Sequence, residues 1–306
     1  MQATTSTSNK NHKGILQRAA SYASLSVALI LVGAKLWGWL STDSVSVLSS
    51  LADSFLDVLG SGITVVAIRM ALMPADSEHR FGHGKSEGLA ALMQSIIISI
   101  SAFYVLLEAV YRLAEPQPVK NPEAGIAVML LSIVITLGLL AFQRSVIKKT
   151  KSLAIAADAM HYRSDLMVNI SVVIALLLSI WTNWTIVDPL IGIGIAAYIL
   201  WSTYDIAAKA LDVLLDRELP LEERQKIATI AKQHPKVMGF HDLRTRSGGT
   251  HHIIQFHLEL DPNSTLIESH LIMDAVEDEI RKLYPSCEII VHADPLGFEE
   301  IRDKWG

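Results

Sequence analysis

Six long apolar runs occupy the first two thirds of this 306-residue chain, and the last third has none of comparable length. Crossing a bilayer takes about 20 mostly apolar residues. Backbone groups in hydrocarbon must be satisfied within their own segment, so runs of this kind fold as helices. The candidates are Ile15–Leu40, Val45–Met73, Glu87–Leu113, Ala124–Arg144, Ser152–Trp181 and Ile186–Leu211. They predict an all-α six-helix transmembrane domain over residues 15–212. Only 19% of the residues are charged, against about 25% in soluble proteins. The net charge of −5 offers no electrostatic basis for binding nucleic acid. The one cysteine, Cys287, excludes an intramolecular disulfide and a thiolate metal cluster within one chain. Residues 1–14 are polar and read as a disordered tail. They do not read as a secretory signal, because the apolar run that follows is too long and lacks a small-x-small cleavage site.

Basic residues give the orientation. Lys10, Lys13 and Arg18 precede the first span; Arg69, Arg80 and Lys85 surround the second loop; Arg144, Lys148, Lys149 and Lys151 form the fourth. With six spans these regions share one side, while the other side carries little beyond Arg112 and Lys120. The positive-inside rule then places both termini in the cytoplasm. Trp181 and Trp184 fall between spans five and six, at the level where interfacial aromatics belong. Gly60-Ser-Gly62 and Gly192-Ile-Gly194 offer places for helices to approach closely, although glycine is common in membrane helices in any case.

From residue 213 to residue 296 the pattern is that of a soluble α+β domain, followed by a tail over 297–306. Leu221–His234 and Thr265–Tyr284 read as helices, the second opened by a capping box of Thr265 and Glu268. Gly239–Arg246, His252–Leu260 and Glu288–His292 read as strands, the first two separated by a Gly-Gly turn. The order αββαβ suits a small open sheet covered by helices on one face, a metallochaperone-like layout that unrelated modules share.

Ionisable residues inside the spans point to chemistry. Asp53 and Asp57 lie four apart in span two, and His161 and Asp165 lie four apart in span five, so each pair shares a helix face. A charge near mid-bilayer costs at least roughly 2.5–3.5 kcal/mol, so two such pairs are hard to explain as surface polarity. Three carboxylates and an imidazole can close a four-coordinate site for a divalent transition metal. Arg163, two positions from His161, points away from that face. A second set, Asp76, His79 and His83, sits in the turn-rich loop after span two, where a solvated polar loop is the plainer alternative. A third comprises His241 and His257 on neighbouring strands, His292 and Asp294 after the third strand, and His270; scattered surface histidines would also account for these. His251 and His252 abut the Gly-Gly turn and read as exposed.

At these residues the chain resembles the cation diffusion facilitator family, in particular its bacterial zinc/ferrous-iron efflux branch. Leu51-Ala-Asp-Ser-Phe-Leu-Asp57 resembles the family's span-two metal motif and His161-Tyr-Arg-Ser-Asp165 its span-five partner. Phe81-Gly-His-Gly-Lys85 is similar to the loop signature, and His241-Asp-Leu-Arg-Thr-Arg246 to the opening of the C-terminal domain. The resemblance implies a homodimeric, non-enzymatic transporter of the bacterial cytoplasmic (inner) membrane. Asp53, Asp57, His161 and Asp165 would be the transport site and Asp76, His79 and His83 a loop site. His241, His257, His270, His292 and Asp294 would form a dinuclear cytoplasmic site at the dimer interface, with Asp294 bridging. Lys85 would pair with Asp216 to link the two domains. Zn²⁺ is the expected ion, with Fe²⁺, Cd²⁺ and Co²⁺ as further substrates.

Metal ligands must be deprotonated to bind, so metal and protons compete for the same lone pairs, and metal–proton antiport by alternating access follows. A membrane-bound metalloenzyme is the main alternative, but His-Glu-x-x-His is absent from the sequence. A metal sensor would use the C-terminal histidines yet has no need of ligands at mid-membrane.

Overall fold

The computed structural model describes residues 2–42, 45–114, 122–182 and 187–297. Six helices come first: α1 (Gln2–Thr42), α2 (Val45–Ala71), α3 (Ser86–Ala114), α4 (Pro122–Thr150), α5 (Leu153–Thr182) and α6 (Val187–Leu214). Then follow α7 (Leu221–Gln233), β1 (Gly239–Ser247), β2 (His252–Leu260), α8 (Leu266–Leu283) and β3 (Cys287–Pro295). The chain divides into two compact units at Leu211/Asp212.

Among the described residues, five helices contain a stretch long and apolar enough to cross a membrane: α1, α2, α3, α4 and α6. The described part of α5 carries Asp158, Arg163 and Asp165, which lower its apolarity. Helix α1 starts at Gln2, so the predicted disordered tail is helical instead. Extending an existing helix needs no new nucleus, and no proline interrupts residues 2–14. Small side chains let the helices meet closely: Ala20, Ala67, Ala90 and Ala154 pack with Ile68, Val146 and Ile155 in one buried cluster. Gly60 is such a contact, since a Cβ there would stand 2.8 Å from Gln94 Oε1, whereas Gly62 faces open space. Outward faces carry exposed Leu29, Ile100, Phe103, Val134 and Trp201, the pattern of a lipid-facing surface. Only Lys151 and Ser152 separate α4 from α5, with Lys151 at φ 60° making the reversal.

The C-terminal unit is a three-stranded sheet of order β1-β2-β3, with β1/β2 antiparallel and β2/β3 parallel. The parallel pair requires a crossover, and α8 supplies it. Alternation along β2 buries Ile254, Phe256, Leu258 and Leu260 against Ile227 and Ala231 of α7 and Ile272, Val276 and Ile280 of α8. Both helices therefore cover one face. The predicted capping box forms: Glu268 N–H donates to Thr265 Oγ1 at 3.2 Å and Thr265 N–H to Glu268 Oε2 at 2.9 Å.

Candidate metal centres

Helices α2 and α5 bring Asp57, His161 and Asp165 together, with one ligand atom from each lying within 4.8 Å of the others. His161 Nε2 is 2.8 Å from Asp57 Oδ1 and 3.6 Å from Asp165 Oδ2. Asp57 and His161 are buried, and Asp165 is half-buried. The i, i+4 spacing on α5 stacks His161 and Asp165 on one face, and that face meets α2. Asp53 is on α2 one turn before Asp57, but its side chain lies outside the described residues. Arg163 points elsewhere, as its spacing predicts, with its guanidinium 5.6 Å from the centre of the Tyr198 ring on α6.

One helical turn along from this group is a second polar cluster, which no motif in the sequence marks. Asp158, 1% exposed, contacts Ser24 Oγ of α1 at 2.5 Å, Gln143 Nε2 of α4 at 2.7 Å and Gln94 Nε2 of α3 at 3.2 Å. Ser61 of α2 joins the cluster through Ser24, and Tyr162 of α5 through Ser61. The signal was present, because Asp158 precedes His161 by three residues and shares its face. Glu87 is likewise buried, although the hydropathy pattern marks it only as a span boundary. It accepts from Gln17 Nε2 at 2.9 Å, Ser152 Oγ at 2.5 Å and Leu153 N–H at 3.0 Å. Lys35, within the first apolar run, donates to Ser54 Oγ at 2.6 Å.

In the loop after α2, Asp76, His79 and His83 converge within 4.8 Å. His79 Nδ1 and His83 Nε2 each lie 3.4 Å from the Asp76 carboxylate, and the two rings are 4.5 Å apart. The His79 backbone N–H, at 2.6 Å, holds the Asp76 carboxyl below its usual range; burial opposes this, and the Glu78 N–H and both imidazoles reinforce it. An ionised carboxylate beside two imidazoles is a donor set suited to a divalent ion with a position left open.

In the C-terminal unit the sheet register builds the third group. His241 pairs with His257 across β1/β2, and His257 pairs with His292 across β2/β3, so three imidazoles form a row on the face away from the helices. Asp294 lies within β3, two residues along from His292, and so does His292 itself; the strand runs to Pro295, beyond the predicted end, because its parallel pairing with β2 continues. Asp294 is central: its carboxylate is 2.8 Å from His257 Nδ1, 3.1 Å from His292 Nε2 and 3.3 Å from His241 Nε2. A β-bulge after His241, with Asp242 at φ 49°, swings Asp242 Oδ2 to 3.8 Å from His257 Nε2. Glu259 Oε1 lies 3.1 Å from His241 Nδ1.

His270 does not join this row. It sits exposed on α8, 3.5 Å from Asp274, because α8 covers the opposite face of the sheet. His251 and His252 are half-buried rather than exposed, and His252 stands edge-on to Tyr284 at 6.0 Å between ring centres. Asp216 accepts from Arg246 Nη1 at 3.2 Å.

Two family models match the chain: the cation efflux transmembrane domain over residues 21–215, and the cytoplasmic domain of cation efflux proteins over residues 219–296. The cation-efflux pump FieF of Klebsiella pneumoniae is 43% identical over 288 residues, 94% of this chain and 95% of the relative. That of Shewanella oneidensis is 45% identical over 282 residues, 92% of this chain and 95% of the relative. A solved metal-bound C-terminal domain of the CzcD transporter from Thermotoga maritima matches 26% of this chain and 94% of its own at 26% identity, with a TM-score of 0.25, too low to bear on the fold. With an αββαβ C-terminal domain and matches of this extent, the chain belongs to the cation efflux family.

Proposed function

We propose that this protein exports divalent metal cations from the cytoplasm, with Zn²⁺ as the main substrate and Fe²⁺, Cd²⁺ and Co²⁺ as others. The observation that carries this reading is the convergence of Asp57, His161 and Asp165 within 4.8 Å inside apolar helices. Asp53, on the same face of α2, completes a quartet of three carboxylates and one imidazole. Such a set binds divalent transition ions only when deprotonated, so protons and metal displace one another. Metal enters from the cytoplasm, the helices reorient, and outside protons take its place: metal–proton antiport by alternating access.

The protein works as a homodimer in the bacterial inner membrane with both termini cytoplasmic. The loop group of Asp76, His79 and His83 is a further metal site. The Asp294-centred row is the cytoplasmic site, at which Asp294 bridges two ions and His270 is contributed across the dimer. Lys85 and Asp216 tie the two domains together. Cytoplasmic metal thereby favours one dimer arrangement, a coupling between sites. No observation among the described residues favours a metalloenzyme or a sensor.

The test uses sealed vesicles holding the full-length protein. Asp57→Ala should abolish metal-driven proton flux and leave a folded dimer. Normal flux in that variant would remove the quartet from the mechanism.

A further inference from the structure

The cluster around Asp158 contains more hydrogen-bond contacts than hydroxyl protons. Tyr162 Oη lies 3.0 Å from the Ser24 carbonyl oxygen, Ser61 Oγ 3.0 Å from Tyr162 Oη, Ser24 Oγ 2.9 Å from Ser61 Oγ, and Ser24 Oγ 2.5 Å from Asp158 Oδ2. Four oxygen–oxygen contacts are thus 3.0 Å or shorter, a fifth brings Ser61 Oγ to 3.5 Å from Asp158 Oδ1, and the three hydroxyls bring three protons. The Ser24 carbonyl carries no proton, so Tyr162 must donate to it. For each of the four short contacts to hold a proton, Ser61 donates to Tyr162 and Ser24 to Ser61, and the 3.5 Å approach of Ser61 to Asp158 Oδ1 is too long to claim one. Nothing is left for the shortest contact unless the carboxyl of Asp158 supplies it.

The remaining partners agree. Gln143 Nε2 donates to Oδ2 at 2.7 Å and Gln94 Nε2 to Oδ1 at 3.2 Å, and both remain compatible with an acid whose O–H points at Ser24. The groups facing Asp158 from α1, α3 and α4 are the neutral Ser24, Gln94 and Gln143. The nearby titratable groups are Tyr162 and His161 on α5 and Asp57 on α2, and the last two are engaged with each other at 2.8 Å. No lysine or arginine among the described residues pairs with Asp158. An ionised carboxylate would leave one contact of the ring with two oxygens and no proton between them, in a site closed to water.

We propose that Asp158 carries a proton in this arrangement of the helices, which makes it a proton-binding site separate from the metal ligands. The ring joins α1, α2 and α5, and the two glutamines add α3 and α4, so the hydrogen-bonded junction of five helices is complete only in the protonated form. The site deepens the antiport reading by placing one proton outside the metal quartet, at Asp158 Oδ2.

The experiment is infrared spectroscopy of the full-length, metal-free protein at neutral pH. The carbonyl-stretch band of a protonated carboxylic acid should be present in wild type, retained in Asp57→Asn, and lost in Asp158→Asn, whose amide keeps a donor and an acceptor in place. Coincident wild-type and Asp158→Asn spectra in that region would overturn the proposal. Ser24→Ala removes the acceptor of the acid's proton and should shift the band; an unmoved band would overturn it as well. Vesicle flux of the wild type separates the two ideas. Flux without the band sinks the resident proton alone, and the band without flux sinks the antiport alone.

Discussion

Glu87 holds the start of α5 and, through it, the positions of His161 and Asp165 about two and three turns further along. Its carboxylate is 5% exposed and accepts from Gln17 of α1, from Ser152 before α5, and from the Leu153 N–H that opens α5. Glu87→Ala leaves all three donors in a buried space. Loss of the helix cap costs about 1 kcal/mol. Each charge-assisted side-chain bond adds about 1.5 kcal/mol or more, giving about 4 kcal/mol in all. For a unit of this size that corresponds to a melting temperature lower by about 10 °C. Thermal unfolding of the detergent-solubilised full chain, followed by helical circular dichroism, reads it directly. Glu87→Gln keeps the shape and one acceptor oxygen, so it should lose about half as much. If Glu87→Ala melts within about 2 °C of wild type, the carboxylate does not hold α5 and the reasoning fails.

The C-terminal unit should lose stability on mild acidification. Burial, aided by His251 and opposed by Glu223, lowers the affinity of His252 for a proton. The unfolded chain then takes up that proton first, so stability falls as pH drops through about 6.5 towards the lower folded value. A series of denaturant melts from pH 7.5 downwards should show this slope, and His252→Asn should flatten it. Asp294→Asn removes the carboxylate that three imidazoles share and should weaken zinc binding at the C-terminal site by about 100-fold or more, read by competition with a chromophoric chelator. Phe256→Ala empties a fully buried position of the C-terminal core and should destabilise that unit by about 3–5 kcal/mol, measured by denaturant unfolding.

Much of this was legible in the chain because two periods are strong. The helix period put His161 and Asp165 on one face of α5 and Asp57 on the face of α2 it shares with Asp53, and carboxylates within membrane helices turn toward one another rather than toward lipid. The strand period put Ile254, Phe256, Leu258 and Leu260 into one core. The His241–His257–His292 row was only half visible, because it depends on the register of a parallel pair across α8, and no local pattern encodes that. Asp158 and Glu87 were missed for another reason. Each is a lone carboxylate whose partners are serines and glutamines on other helices, residues too common to stand out until the packing assembles them. His270 shows the converse: residue type and resemblance grouped it with the other histidines, while the topology puts it on the covered side of the sheet.

The join at Lys151 and Ser152 has a mechanical consequence. A connection this short cannot let one helix swing while its neighbour stays still, so α4 and α5 tilt as one hairpin. Any displacement that carries His161 and Asp165 from one side of the bilayer to the other must drag α4 with it. The pivot has to be sought where that hairpin slides against the helices before it, rather than at its own bend.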